Sequence, residues 1–145
     1  MTTNTAPAVR AASWKSTFAA AGIAAAGALV ANSVIAFVAR GMLDAPAEFQ
    51  PLKPAAFGFF TILGVLAGAI GWRLIVARSR NATSLLRKLV PTVVTVSLIP
   101  DVALLVNTDA QPGITTTGVV ALMLMHLAVA AVAVPTYRRF MPPQS

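Results

Sequence analysis

The chain contains no cysteine and only one histidine among its 145 residues. The lack of cysteine excludes disulfide bonds, thiolate metal sites and cysteine nucleophiles. One histidine is too few for the multi-histidine metal centres that a single chain can build. Met123 shares a helical face with His126, but one residue of each kind does not specify a metal or haem site. We therefore predict neither a metal ion nor a cofactor.

Charged residues are also scarce, at 10% of the chain, whereas an ordinary soluble domain is about a quarter charged. Hydrophobic residues make up 57%, and the mean hydropathy is +0.79. Such a chain cannot cover itself with polar surface, so lipid is its natural solvent. The net charge of +7 does not indicate nucleic-acid binding, because the basic residues flank hydrophobic stretches with few aromatic residues between them.

Four long hydrophobic stretches predict four transmembrane helices. The first stretch is longer than the hydrophobic part of a cleaved signal peptide, which is the alternative interpretation at this position. The predicted fold is an all-α integral membrane four-helix bundle over residues 14–139, with disordered tails at 1–13 and 140–145. The predicted helices cover about residues 16–39, 54–77, 89–108 and 114–137.

The positions of Lys and Arg predict the orientation. Nine of them lie in the tails and in the linker between the second and third helices, against two in the first loop and none in the last. Basic residues concentrate on the cytoplasmic side, so we predict a multi-pass plasma-membrane protein with both termini in the cytoplasm. Trp72 is placed where interfacial aromatic residues collect. The linker is predicted to contact anionic lipid headgroups through Arg78, Arg80, Arg87 and Lys88.

Small residues spaced four apart indicate close helix packing. The first helix has many such alanines and glycines, and the second contains Gly64 and Gly68 in a GxxxG motif. Lipid provides no hydrophobic drive between helices, so small residues that let backbones approach are needed for association. The motif predicts either a close crossing within one monomer or a homodimer through Gly64 and Gly68.

Asp101 lies inside the third hydrophobic stretch and follows Pro100, which predicts a kink. A carboxyl group at membrane depth is costly unless it is paired, so it marks a functional or packing site. We predict a polar, candidate ligand-binding layer around Asp101; the alternatives are a hydrated helix end near the interface and a simple interhelical contact. Counting residues along the helices adds Asn32, Thr61 and Thr117 to this layer. Ser97 joins them because it lies four residues before Asp101 and so shares its helical face.

The same counting places His126, on the fourth helix, roughly one and a half turns deeper than Asp101. We therefore expect no direct contact between the two side chains in an upright bundle. A neutral histidine that is hydrogen-bonded between helices is the simplest interpretation. A weaker alternative is a catalytic base.

Three short segments carry a resemblance to a known family: residues 68–72 (GAIGW), 97–100 (SLIP) and 124–127 (LMHL). With the four-span layout, the chain resembles a family of small actinobacterial membrane proteins catalogued as a domain of unknown function. The similarity covers roughly residues 16–139. It implies an integral membrane bundle of about this length, and it brings no assigned catalytic residues.

Three functions fit these features. The first is a non-enzymatic accessory or interaction bundle. The second is a membrane enzyme acting on a lipophilic small molecule, similar to small terpenoid cyclases, with Asp101 as general acid and His126 as a weaker catalytic candidate. The third is a dimeric proton-coupled transporter with Asp101 as the carrier. The first is favoured, because the stretches contain a single acid and no second carboxylate to return a proton.

The orientation can be tested directly, because the natural chain has no cysteine. A single cysteine in the basic linker should resist a membrane-impermeant thiol reagent in intact cells and react after lysis. A cysteine in the loop between the first and second helices is the control and should react from outside. Labelling of the linker cysteine in intact cells would contradict the predicted topology.

Overall fold

A computed structural model describes residues 13–143, which form five α-helices arranged as four spans and contain no strand. α3 and α4 together form the third span. Each span is long and hydrophobic enough to cross a membrane, which confirms the predicted all-α four-span bundle. The helices are α1 (Trp14–Gly41), α2 (Pro54–Arg78), α3 (Ala82–Ser97), α4 (Ile99–Val106) and α5 (Thr116–Phe140), with a short 3-10 helix at Gln50–Leu52.

The third span begins earlier than predicted. The Asn81 side chain accepts a hydrogen bond from the Ser84 backbone N–H at 3.2 Å, so the helix starts at Ala82 rather than near residue 89. The sequence prediction placed the start of this helix after the last charged residues. Arg87 and Lys88 nevertheless belong to α3, because long basic side chains can reach the headgroups along their aliphatic stems.

The last helix ends later than predicted. α5 continues to Phe140, and Met141 is fully buried. These two residues are therefore part of the folded bundle and not of a disordered tail. The other residues of the predicted tails, 1–12 and 144–145, lie outside the described part of the chain.

The core of the bundle is the packing of α1 against α5. Three alanines of α1, Ala20, Ala24 and Ala28, have no exposed surface. A Cβ atom on Gly27 would lie 2.9 Å from Cγ1 of Val132, which is closer than a real contact. Small side chains therefore let the two backbones approach, as helix association in lipid requires.

The GxxxG motif of α2 does not form this close crossing. A Cβ atom on Gly64 would meet nothing within 4 Å, and one on Gly68 would make ordinary contact with the Tyr137 hydroxyl at 3.4 Å. The tightest helix crossing is at Gly27 instead, because α1 rather than α2 lies deepest against α5. The homodimer through Gly64 and Gly68 stays a prediction.

We call the end of the bundle that carries residues 13 and 143 the termini side. Here Trp72 is 4% exposed, and its indole Nε1 donates to the Met141 carbonyl at 2.9 Å. The Tyr137 hydroxyl donates to the Val65 carbonyl at 2.6 Å. Trp72 thus packs inside the bundle, because its N–H group finds a carbonyl partner there, and its position at the membrane interface stays a prediction.

At the opposite end, the loop side, the two loops pack on each other. Phe49 of the first loop is fully buried, and a Cβ atom on Gly113 of the second loop would lie 2.7 Å from the Phe49 backbone nitrogen. Gly113 also has φ +76°, a conformation that glycine adopts without steric cost. The loops therefore form one cap over the ends of the spans.

The third span is peripheral. Only 6% of its most hydrophobic stretch is buried, against 28% in each of the other three spans. α3 buries Ala82 and Leu86, and α4 buries only Asp101. The span is interrupted at Leu98, just before Pro100 in the first turn of α4, at the place where the proline predicts a kink.

The α1–α5 crossing gives a stability prediction. We expect Gly27→Val to lower the free energy of unfolding by about 1–3 kcal/mol, because the new side chain would press on Val132. Gly22→Val is the matched control, since a Cβ atom on Gly22 of the same helix meets nothing within 4 Å. Detergent unfolding of the purified chain measures both variants. Equal losses at the two positions would contradict the close crossing.

Candidate functional site

Two polar side chains meet between α1 and α2 in the middle of the bundle. Asn32 Nδ2 donates a hydrogen bond to Thr61 Oγ1 at 2.8 Å, and both residues are buried. Counting residues along the helices predicts that Asn32 and Thr61 lie at the same depth in the membrane, and the structure shows that their side chains are in contact. The other amide oxygen, Asn32 Oδ1, is buried and has no hydrogen-bond partner among residues 13–143.

A second polar contact joins α4 to α5. Asp101 Oδ2 lies 3.0 Å from His126 Nδ1. The Asp101 side chain is 4% exposed, and the His126 side chain is 35% exposed. The expectation that these residues lie apart is therefore wrong. It assumed an uninterrupted, upright third helix, whereas this span is interrupted at Leu98 and its helix ends at Val106, before the predicted end at 108.

The hydrogen on the imidazole has two acceptors within reach. His126 Nδ1 is 3.0 Å from the Leu122 carbonyl oxygen in hydrogen-bond geometry. A carbonyl only accepts, so Nδ1 is the donor in this bond. Asp101 Oδ2, at the same distance, has no partner with hydrogen-bond geometry in the described chain. Carboxyl and imidazole are thus close enough to exchange a proton, while the histidine is also held by its own helix.

These two contacts belong to one layer of the bundle. Thr17 of α1 contacts Met141 after the end of α5, with Oγ1 3.4 Å from Sδ. Asn32 lies 15 residues after Thr17, and His126 lies 15 residues before Met141. Because antiparallel helices rise equally per residue, Asn32 is level with His126. We call Asn32, Thr61, Asp101 and His126 the polar layer.

The other two predicted members of the layer are placed elsewhere. Ser97 donates its hydroxyl to the Val94 carbonyl at 2.7 Å and makes no hydrogen bond to Asp101. The two residues belong to different helices, because α3 ends at Ser97 and α4 begins at Ile99. Thr117 lines a groove on the loop side instead. The sequence prediction therefore included Ser97, from its spacing to Asp101, and Thr117, from counting residues, and it left His126 out of the layer.

Two buried oxygens of the layer, Asn32 Oδ1 and Asp101 Oδ2, have no hydrogen-bond partner among the described residues. An unsatisfied buried polar group costs about 1–3 kcal/mol and calls for an explanation. Both oxygens can accept a hydrogen bond from water, from a protonated neighbour or from a ligand hydroxyl. No three potential metal ligands of the types His, Cys, Asp and Glu gather within residues 13–143.

Two grooves lie on the loop side, one on each flank of α1. The first has a volume of about 500 Å³ and lies between α1 and α2. The second, of about 410 Å³, lies between α1 and α5. Neither groove is lined by Asp101 or His126. The layer can therefore hold helices together and exchange a proton internally, but these grooves do not bring a substrate to its carboxyl group.

Residues 12–142 match a family of unknown function, DUF6069. Neither a curated protein nor a solved structure matches the chain. The match covers all four spans, and it assigns no residue a role.

A double-mutant cycle tests the contact between α4 and α5. Asp101→Ala and His126→Ala should each destabilise the bundle, and the double variant should lose less than the two changes together. We expect a coupling free energy of roughly 0.6–1.7 kcal/mol, which lies between the average and the maximum for polar interhelical contacts in membranes. Ser97→Ala is the control and should change little, since Ser97 bonds only to its own helix. Additive losses would show that Asp101 and His126 do not interact.

Proposed function

We propose that this chain, which belongs to the family of unknown function DUF6069, is an accessory protein of the plasma membrane that docks a partner's transmembrane helix along α3 and α4. The observation that carries this proposal is the exposure of the third span, which is 6% buried where the other spans are 28% buried. In lipid, helices are held by short-range packing and hydrogen bonds. A span that packs so little against its own bundle leaves its surface free to pack against a transmembrane helix of a partner protein.

The chemistry of the exposed surface supports a protein partner over lipid alone. Thr92 and Thr95 are exposed on α3, and threonine is enriched where membrane helices meet, because its hydroxyl can bond across the contact. Val93 and Val96 lie beside them and are 56% and 55% exposed. Their branched side chains are stiff at χ1, so they present a surface that loses little freedom on binding.

The polar layer has a structural role in this proposal. Asp101 is the only buried residue of α4, and its contact with His126 fixes the depth and rotation of the span. α3 is anchored separately through Ala82 and Leu86. The exposed Thr92 and Thr95 lie between this anchor and the Asp101 contact, on the surface that faces away from the bundle. In this proposal Asp101 positions the third span and is not a catalytic residue.

Proton chemistry is the second candidate function, and the 3.0 Å approach of Asp101 to His126 favours it. A carboxyl and an imidazole group in a membrane can relay a proton. In an enzyme, Asp101 would protonate a lipophilic substrate; in a dimeric transporter, it would carry the proton. Both roles need access to a side chain that is 4% exposed. The docking proposal does not need such access.

Two further contacts extend the proposal. Gly64 is exposed, with nothing within 4 Å of a Cβ atom placed there, so it is available for a homodimer crossing. Gly68 is also exposed, but a Cβ atom placed there would meet the Tyr137 hydroxyl at 3.4 Å. The basic linker on the termini side suits anionic lipid headgroups. Its basic residues are Arg78 at the end of α2, Arg80 between the helices, and Arg87 and Lys88 within α3.

Site-specific photocrosslinking in native membranes tests the docking surface. A photoreactive residue at Val93 or Val96 should form a protein adduct of one discrete mass. The same residue at Phe60 of α2 or Val30 of α1, which are each 66% exposed, should label lipid only. We expect Thr92→Val together with Thr95→Val to reduce the adduct several-fold, because these changes remove the hydroxyls and keep the shape.

The other outcomes of this experiment are also decisive. Lipid adducts at all four positions would overturn the docking proposal. Equal protein adducts at all four positions would show unspecific collision, which also overturns it. An adduct that contains two differently tagged copies of this chain would identify the partner as a second copy.

A further inference from the structure

We infer that the groove between the loop-side ends of α1 and α2 binds a lipid of the adjoining leaflet, with an acyl chain in the groove and an anionic headgroup on Arg40. We call it the Arg40 groove. It is independent of the third span and of the polar layer. Its walls come from α1, from the first loop and from the start of α2, and they include Ala36, Phe37, Arg40, Gly41, Leu52 and Phe57.

The groove follows from how α1 and α2 are joined. Their side chains meet at the Asn32–Thr61 hydrogen bond in the middle of the bundle. Beyond this point small residues, Ala36 and Gly41 of α1 and Ala45 of the loop, leave the space between the helices unfilled. The resulting volume of about 500 Å³ lies within the roughly 300–1,000 Å³ of ligand pockets. The lining is otherwise almost entirely apolar and therefore suits hydrocarbon.

Arg40 gives the groove its selectivity. It is the only charged residue of the lining, and among residues 13–143 no acid lies within ion-pair distance of it. Asp44 and Glu48 of the same loop are exposed and do not line the groove. A guanidinium group is a planar fork of donors that matches a phosphate or carboxylate group, so an anionic headgroup would supply the missing partner.

The distances along α1 fit an acyl chain. Ser33, at the deep end of the lining, lies seven residues before Arg40, which corresponds to roughly 10 Å along the helix. A chain that enters beside Arg40 can therefore run past Ala36 and Phe37 toward the middle of the membrane. The headgroup stays at the loop side, near the end of α1, where water and headgroups meet the bundle.

The second groove, on the other flank of α1, provides an internal comparison. Its lining contains Val38, Leu43, Thr116 and Thr117 and no charged residue. It can accept hydrocarbon but offers no cation to a headgroup. Selection by headgroup charge is thus expected at the Arg40 groove alone on this side.

Native mass spectrometry of the full-length chain in detergent tests the inference, with phosphatidylglycerol and phosphatidylcholine of identical acyl chains as probes. The natural chain should retain phosphatidylglycerol preferentially. Arg40→Gln should reduce this preference by on the order of tenfold, in line with the loss of a hydrogen bond to a charged group. Lys53→Gln is the matched control: it removes the other loop-side cation, which does not line the groove, and should change the preference less than about twofold.

A filling variant tests the acyl chain separately. Gly41→Leu should lower the retention of both lipids, because the side chain enters the groove. The backbone tolerates it, since a Cβ atom there meets only Phe37 Cε2 at 3.9 Å and Gly41 has no positive φ. If Gly41→Leu does not fold, Ala47→Leu, at an exposed position of the same lining, takes its place. The basic linker is unchanged in every variant, so its lipid binding is a common background.

Three outcomes would overturn the inference. Equal losses with Arg40→Gln and Lys53→Gln would show general charge attraction. Unchanged retention in the filling variant would show that no acyl chain occupies the groove. Full competition by soluble glycerol phosphate would show that Arg40 binds a free phosphate ester and not a membrane lipid.

Discussion

The close approach of α1 to α5 is the contact on which the rest of the bundle depends. In water the hydrophobic effect would hold four apolar helices together, but in lipid it contributes nothing between them. Packing at short range must replace it, and such packing needs small side chains where the backbones cross. Gly27 against Val132, continued by the buried alanines of α1, meets this need. α2 adds Val65, Ala69, Trp72 and Val76 to the same core.

Polar contacts join α2 and α4 to this pair. α2 is held to α1 by the Asn32–Thr61 hydrogen bond and to the end of α5 by the Trp72 indole. α4 has no fully buried apolar residue, and it contacts α5 through Asp101 and through the partly buried Leu104. Interhelical hydrogen bonds in membranes are each worth only about a kilocalorie per mole. They suffice to set register and rotation on a scaffold that α1 and α5 already provide.

The sequence predicts this fold well wherever the helices run straight. Four hydrophobic stretches give four spans, and counting residues brings Asn32 level with Thr61, because α1 and α2 are uninterrupted. Counting fails for Asp101, because its span is interrupted at Leu98 and begins at the Asn81 cap rather than after the last charged residue. The spacing of small residues also fails to predict where the helices pack most closely. Many glycine and alanine pairs could form such a contact, and only the three-dimensional arrangement shows that Gly27, and not the GxxxG motif of α2, forms it.

The order of the spans keeps the two proposed binding surfaces apart. α1 packs on α2 and α5, whereas the third span packs on α2 and α5 from their other side. Both grooves lie along α1, so a lipid at Arg40 and a partner helix at Thr92 and Thr95 would be separated by the α2–α5 layer. Neither ligand would displace the other, because no residue of α3 or α4 lines either groove.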